Sequence, residues 1–432
     1  MRLENALSAL LLLTITGCGF LSPTATVTPS SPLPAPTSPP PTPTSTPVPQ
    51  PQPLVIALTL WVPEQFSPYG GRPGADVLAQ QLDDFGAAYP DIQVEVIVKK
   101  AHGRGGLLDF LRTARDAAPS VMPDLVVLDT ADLETAAGSD LIQPLDDFLS
   151  PSIIAGRFPF ATALGEVEEQ TMGFVIGADM QHLAYRPALF ETPPVSWTQV
   201  FSAPAPFLFP ARGQDRQVND ATLIQYMAAG GKLTDRDGNP WLDEKVLISV
   251  LGFYSDCVGT GVISPTAVLG IADADQAWER FQGGEDGMAV VRASRYWLEA
   301  GETVSAAPIP TRDGQPFSVA RGWAVAMATA DPARQALAML LLDWLIAPDH
   351  SASWTQETGY LPSTSGALRL WDISSVDRAM LRRVMEAAVP PPRPVVATTI
   401  VGPAMQEALE AVLRGRATPE EAAAAAVKGL EE

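Results

Sequence analysis

Cysteine and histidine are scarce in this chain. Its two cysteines, Cys18 and Cys257, cannot build a disulfide framework, and if Cys18 carries a lipid no internal disulfide can form at all. Cys257, in FYSDCVGTG, reads as a buried thiol on a helix. The three histidines (His102, His182 and His350) share no metal-ligand spacing, so zinc chemistry is set aside and no metal or cofactor is expected. Positive charge is also in short supply. Lys and Arg number 28 against 49 Asp and Glu, for a formal charge of −21 and a pI of about 4.5. Such a surface repels nucleic acid and anionic lipid, which makes DNA or RNA a poor partner. Common enzymatic signatures are missing: no G-x-S-x-G elbow, no H-E-x-x-H helix, no Walker loop, no C-x-x-C pair. HGRGG at 102–106 lacks dinucleotide-loop spacing and reads as a turn. TDRDGNPW at 234–241 mimics the start of a calcium loop but puts Pro240 where that loop needs Gly, so a hairpin turn is expected.

Long apolar runs are absent too. Ala6 to Ile15 is too short to span a membrane permanently and suits a signal peptide, with Arg2 supplying the positive start. Ile15-Thr16-Gly17-Cys18 then resembles a bacterial lipobox, which implies cleavage before Cys18 and a diacylglycerol on its sulfur. Leu21 to Pro53 holds 13 of the chain's 42 prolines, with Ser and Thr between them. Such a run cannot pack a core and favours polyproline II. Extended, it would reach on the order of 100 Å as a tether. Residues 1–17 are therefore expected to be a lipoprotein signal peptide and 18–53 the lipidated Cys with its tether.

From Leu54 on there is ample core material. The chain there is longer than the roughly 250–300 residues one core supports, so two domains are expected. Leu54 to Trp61 is an apolar strand. Gly74 to Ala88 is helical, with Val77, Leu78, Leu82 and Phe85 on one face. DIQVEVIVKK is a second strand with Ile92, Val94, Val96 and Val98 on one face, GLLDFLRTARDA a second helix, and PDLVVLD a strand buried on both faces. This β-α-β-α-β alternation implies a parallel sheet with right-handed crossovers. Further on, Gly173 to Ile176 reads as a short strand with Asp179 just past it, and GMAVVR as a strand ending near Arg292, with Trp297 beyond. Ser196 with Gln199 and Thr418 with Glu421 fit helix capping boxes, the second opening a C-terminal helix to about Leu430.

In open α/β sheets, ligands bind beyond the carboxyl ends of the strands. That rule selects Trp61, Asp129, Asp179 and Arg292. A helix N-cap is the competing role for each aspartate, and a salt bridge between lobes for Arg292. Paired carboxylates could also serve a surface glycosidase, but the sequence does not bring Asp129, Asp179 or Glu64 together.

Seven segments, in this order, resemble the extracellular solute-binding proteins of ABC importers, in the group similar to maltose-binding protein. They are FGAAYPDIQVEVI, PDLVVLDTADLETAAGSDLIQPLDDFL, TMGFVIGADMQHLAYRPALF with PPVSWTQVF, FQGGEDGMAVVRASRYW, ARGWAVAMATADPARQALAMLLLDWL, GYLPSTSGAL and AVLRGRATPEEAAAAAVKGL. The likeness spans about residues 54 to 432. It departs at Ala184-Tyr185-Arg186, where the family often has a polar YYN, and at VPEQFSPYGGRPG, which is poor in strong hydrogen-bonding groups. The implied fold is α/β, type II periplasmic-binding-protein-like, with two lobes closing on a cleft by a hinge. Lobe one would be 54–177 plus 319–349, and lobe two 178–318 plus 350–432. The resemblance implies capture of a carbohydrate for an ABC permease, without chemistry on it, by an extracytoplasmic, lipid-anchored monomer. A polyol, glycerol phosphate, a peptide or a metal chelate is the alternative solute. A receptor reporting occupancy to a sensor kinase is a further reading. A sugar offers apolar faces for aromatic stacking and hydroxyl edges for charge-assisted hydrogen bonds. Strand-end position and motif match together nominate Trp61, Trp297, Trp323 and Tyr360 as platforms and Asp129, Asp179 and Arg292 as polar clamps. Core packing competes for each aromatic, most plainly for Trp323, which precedes the apolar run Ala324 to Met327.

Overall fold

The computed structural model describes residues 55–284, 287–392 and 395–431. The segments expected to be a signal peptide and a tether, with Cys18 between them, lie outside the described residues. Residues 53–432 form one compact unit.

The opening alternation folds as its pattern requires. Strands β1 (Ile56–Pro63), β2 (Ile92–Lys99) and β3 (Leu125–Asp129) are joined through the helices Ala75–Ala88 and Leu107–Ala117. β1 pairs in parallel with both β2 and β3. A small separate hairpin, β4 (Glu166–Val167) with β5 (Gln170–Thr171), precedes the long strand β6 (Phe174–Tyr185). Then come β7 (Phe207–Leu208), β8 (Met288–Arg292), β9 (Ser305–Ala307), β10 (Ser318–Met327) and β11 (Ala388–Val389). The main sheet runs β2-β1-β3-β10-β6-β8-β7, with β11 on β10 and β9 on β6.

β6 and β10 tie the sheet together. β10 lies antiparallel to β3 over Trp323–Met327 and to β6 over Ala320–Val325, with a register shift between Trp323 and Ala324. The other end of β6 pairs with β8 and β9. The expected short strand at 173–176 thus runs on to Tyr185, and Asp179 lies inside it rather than past its end. Continuation is favoured because β6 is paired along nearly its whole length, with β10 over Phe174–Met180 and with β8 over Gln181–Tyr185, which satisfies much of its backbone polarity.

The pleat sorts the side chains into cores. From β1, Leu58, Leu60 and Val62 point to one side, with Val127 and Val325, under the helices Ala75–Ala88, Pro332–Ile346 and Pro348–Thr358. Trp61, Val126, Leu128 and Ala324 point to the other. There they meet the helices Leu107–Ala117, Pro159–Gly165, Ser365–Leu370 and Ser375–Ala387. A third core gathers residues between Leu183 and Val319 with Val401 to Ala426 of the last two helices. Cys257 is fully buried there, on the helix Glu244–Gly259, and burial pushes its thiol up to about 12. The Ser196–Gln199 capping box is present, and Thr418 and Glu421 exchange hydrogen bonds of 2.9 and 3.2 Å. TDRDGNPW folds as a turn in which Asp235 accepts from the Asp237 and Asn239 amides, both at 2.9 Å, closed by a Thr234–Pro240 bridge. Among the described residues, no helix is long and apolar enough to cross a membrane.

Candidate functional site

Residues directly opposite on neighbouring strands share a sheet face. Asp129 on β3 faces Trp323 on β10, and Trp323 faces Gly177 on β6. Two residues along, Arg321 faces Asp179, and two beyond that Gln181 faces Arg292 on β8. One face of β3-β10-β6-β8 therefore carries Asp129, Trp323, Arg321, Asp179 and Arg292 in sequence. Tyr360 reaches this face through a two-bond bridge of 2.8 and 2.7 Å between Ala178 and Leu361. Gly177 makes room for it: a Cβ there would sit 3.3 Å from the Cβ of Tyr360 and 3.1 Å from the Trp354 ring.

The aromatics continue beside the polar row. Phe66 stacks on Trp354 at 4.8 Å and on Tyr360 at 6.1 Å between ring centroids, and Trp323 tilts against Phe66 at 5.7 Å. Offset rings at these spacings attract beyond their area of contact and hold one another's orientation. Trp323 and Tyr360 keep part of their surface open, so the stack presents ring faces while its root stays buried.

Every charge in the row has a partner. Asp179 accepts from the amides of Met180 (2.9 Å) and Ser294 (3.1 Å) and from the Ser294 hydroxyl (2.5 Å), with an Arg292 nitrogen at 3.7 Å. Burial nevertheless pushes its carboxyl up to about 6, because Arg292 and the donors only partly offset the lost solvation. Arg292 also donates from Nε to Asp275 at 3.2 Å. Arg321 grips Asp220 with two nitrogens, at 2.8 and 3.2 Å, the bidentate geometry that fixes both groups. His102 stands between Asp129 (3.5 Å) and Asp132 (3.6 Å), its ring 5.6 Å from Trp323. Burial, then the charge of Asp129, raises the Asp132 carboxyl. Burial, then Asp179, pushes the Tyr360 hydroxyl up to about 12, so it stays neutral and serves as donor and acceptor.

Of the seven residues expected at the site, five meet: Asp129, Asp179, Arg292, Trp323 and Tyr360. Two do not. Trp61 lies on the opposite face of β1, 3% exposed, edge-on to Phe110 at 6.4 Å and under the Lys99 ammonium at 4.4 Å. Trp297 sits on the helix Ala293–Glu299, packed against Tyr296 (4.9 Å) and Trp371 (6.0 Å) between two cores. Asp129 also caps the turn after β3, accepting from the Ala131 amide at 2.9 Å. The strand-end rule passed over His102, although its HGRGG turn directly follows β2. Asp132 lies one turn past Asp129, and Arg321 two residues before Trp323 in strand period, so both were within reach of pattern reasoning. Asp220 and Asp275 open helices far away in sequence and carry no such signal. Among the described residues, no group of three or more His, Cys, Asp or Glu could hold a metal ion.

A mixed α/β sheet threaded by two long strands, with polar and aromatic side chains gathered where they run together, defines the two-lobed periplasmic-binding-protein-like fold. The model of the bacterial extracellular solute-binding protein family matches residues 80–376, and the chain belongs to that family. The family places it outside the cytoplasm. Solved structures share the fold over nearly their whole length. The cyclic α-maltosyl-1,6-maltose binding protein of Arthrobacter globiformis is 19% identical, with a TM-score of 0.70 over 87% of this chain and 98% of that one. The sugar-binding protein MalE of Xanthomonas citri is 18% identical, with a TM-score of 0.68 over 86% and 96%. An ABC transporter solute-binding protein of Thermotoga lettingae, bound with α-D-tagatose, is 22% identical, with a TM-score of 0.64 over 87% and 98%. No curated protein sequence matches the chain.

Proposed function

We propose that this protein is the lipid-anchored, substrate-binding component of an ABC importer and that its solute is a carbohydrate. The observation that carries the reading is the row Asp129, Trp323, Asp179 and Arg292 beside the Tyr360–Trp354–Phe66 stack, on one face of the crossing strands. Ring planes suit the apolar faces of a pyranose, and ionised groups suit its hydroxyl edges. Similar structures whose names record sugars agree with this. With the partners Asp132, Asp220 and Asp275 counted, the row and its surroundings hold five carboxylates against the two guanidiniums of Arg292 and Arg321, which weighs against glycerol phosphate. The Cys18 motif and the Pro-rich run support lipid attachment and a tether.

We divide the folded part into a first lobe of about 54–177 plus 319–389 and a second of about 178–318 plus 395–432. Residues 350–389 move to the first lobe because Trp354, Leu361, Leu368 and Met385 share its two cores. The protein acts by closing on the solute and presenting it to a permease, as a monomer, with no reaction on the solute.

The test is thermal unfolding of Pro53–Glu432 against mono- and oligosaccharides. One sugar class raises the melting temperature, and chromogenic glycosides are not turned over. A flat response to every sugar, with a response to a phosphorylated polyol or peptide, overturns the carbohydrate reading and leaves the solute-binding fold standing.

A further inference from the structure

Basic residues are few in this chain, yet four arginines line one groove. The helices Ser365–Leu370 and Ser375–Ala387 form a groove of about 680 Å³ lined by Arg369, Arg378, Arg382 and Arg383. The helix period explains the gathering. Arg378, Arg382 and Arg383 stand four and five residues apart, on one side, while Leu381, Val384 and Met385 turn into the core. Arg369 joins them from the last turn of the preceding helix.

The groove's own charges do not cancel. Glu386 is its one carboxylate and holds Arg382 at 3.2 Å. Arg378 donates one nitrogen to the carbonyls of Trp371 (2.7 Å) and Ile373 (3.2 Å), and its buried Nε has no partner. Arg369 and Arg383 are exposed and make no ion pair among the described residues. Ser365 and Ser375 add hydroxyls to the lining, beside Leu368 and Ala379. None of these residues belongs to the cleft row.

We propose that this groove binds a phosphate-bearing anion. A planar guanidinium meets phosphate with two parallel hydrogen bonds, and several converging guanidiniums are needed to hold one on an acidic protein. The chain's overall charge of −21 does not prevent this, because exposed charges beyond about 8 Å are largely screened at physiological salt. The phosphate is that of a lipid headgroup or of a soluble ester.

The full-length chain is titrated with inorganic phosphate by calorimetry, and floated with vesicles of phosphatidylcholine alone or containing phosphatidylglycerol. The variant is Arg369→Gln/Arg383→Gln. Arg236→Gln/Arg312→Gln, exposed and distant in sequence, removes the same charge as a control. Phosphate binds the wild type and the control, and binds the groove variant at least about tenfold more weakly, with unchanged melting temperatures. If the wild type also prefers the anionic vesicles and the groove variant does not, the headgroup is the source. If phosphate binds without vesicle preference, the source is a soluble ester. No phosphate binding by the wild type, or equal weakening in both variants, overturns the proposal.

Discussion

Asp179 is held by three hydrogen-bond donors and an arginine, yet burial still lifts its carboxyl to about 6. A solute hydroxyl donating to this group favours the ionised form. Affinity therefore rises as pH goes from 5 to 7, and calorimetry of Asp179→Asn should show a weaker and flatter profile. The same shift acts on stability with its own sign. Between the usual carboxylate value near 4 and about 6, the folded chain keeps a proton that the unfolded chain has released, so this residue's contribution falls as pH rises. His182 works the other way. Burial pushes it down to about 4, so the unfolded chain holds the extra proton between about 4 and 6.5 and stability from this residue grows with pH. Urea unfolding at pH 5 and 7 separates the two, since Asp179→Asn removes only the first slope. The tryptophans divide as clearly. Trp323→Ala is expected to weaken solute binding at least about tenfold, the cost of losing a stacking face. Trp61→Ala leaves affinity in place and costs about 3–5 kcal/mol of stability, because the side chain is core. Calorimetry and denaturant unfolding on both variants check the pair.

At the scale of elements, the last helix shows what local sequence decides. Thr418 and Glu421 cap the helix Pro419–Glu431, and Ala422, Ala423 and Ala426 seat it in the third core. Thr418→Ala should cost about 1 kcal/mol in urea unfolding, and Thr418→Ser very little. Such caps were legible because all their atoms lie within four residues. The first three strands and two helices were legible for the same reason, as was the Asp129 strand end. The length of β6 was not: what carries it past Ile176 is pairing with β10 and β8, more than a hundred residues away. Nor did helical periodicity say which core would take the faces of Ser365–Leu370 and Ser375–Ala387. At the site, Asp129 and Arg292 followed from the strand-end rule, and Tyr360 needed the family likeness. Trp61 misled because a strand end fixes position along the sheet, whereas the pleat decides the face. Asp220 and Asp275 reach Arg321 and Arg292 only in three dimensions.

On the proposed function, the whole molecule converts occupancy into shape. Asp129 stands on β3, in the sheet's first part, while Arg292 and Asp275 belong to β8 and the helix before it. A solute touching both groups is held best when they approach one another, and only that differential affinity can shift the population toward a closed form. β6 and β10 run through both parts, so closure means bending or twisting about these strands rather than breaking the sheet. At a hundredfold excess over Kd, binding adds about 2.7 kcal/mol, or roughly 2–4 °C of melting temperature for a chain of this size. Small-angle scattering on the same samples should show a smaller radius of gyration with solute. Trp323→Ala should lose both effects at that concentration and recover both at higher solute, because the substitution weakens the contact and leaves the hinge intact. Stabilisation without compaction would mean that the solute binds one lobe alone, and the closing mechanism would fall while the site remained.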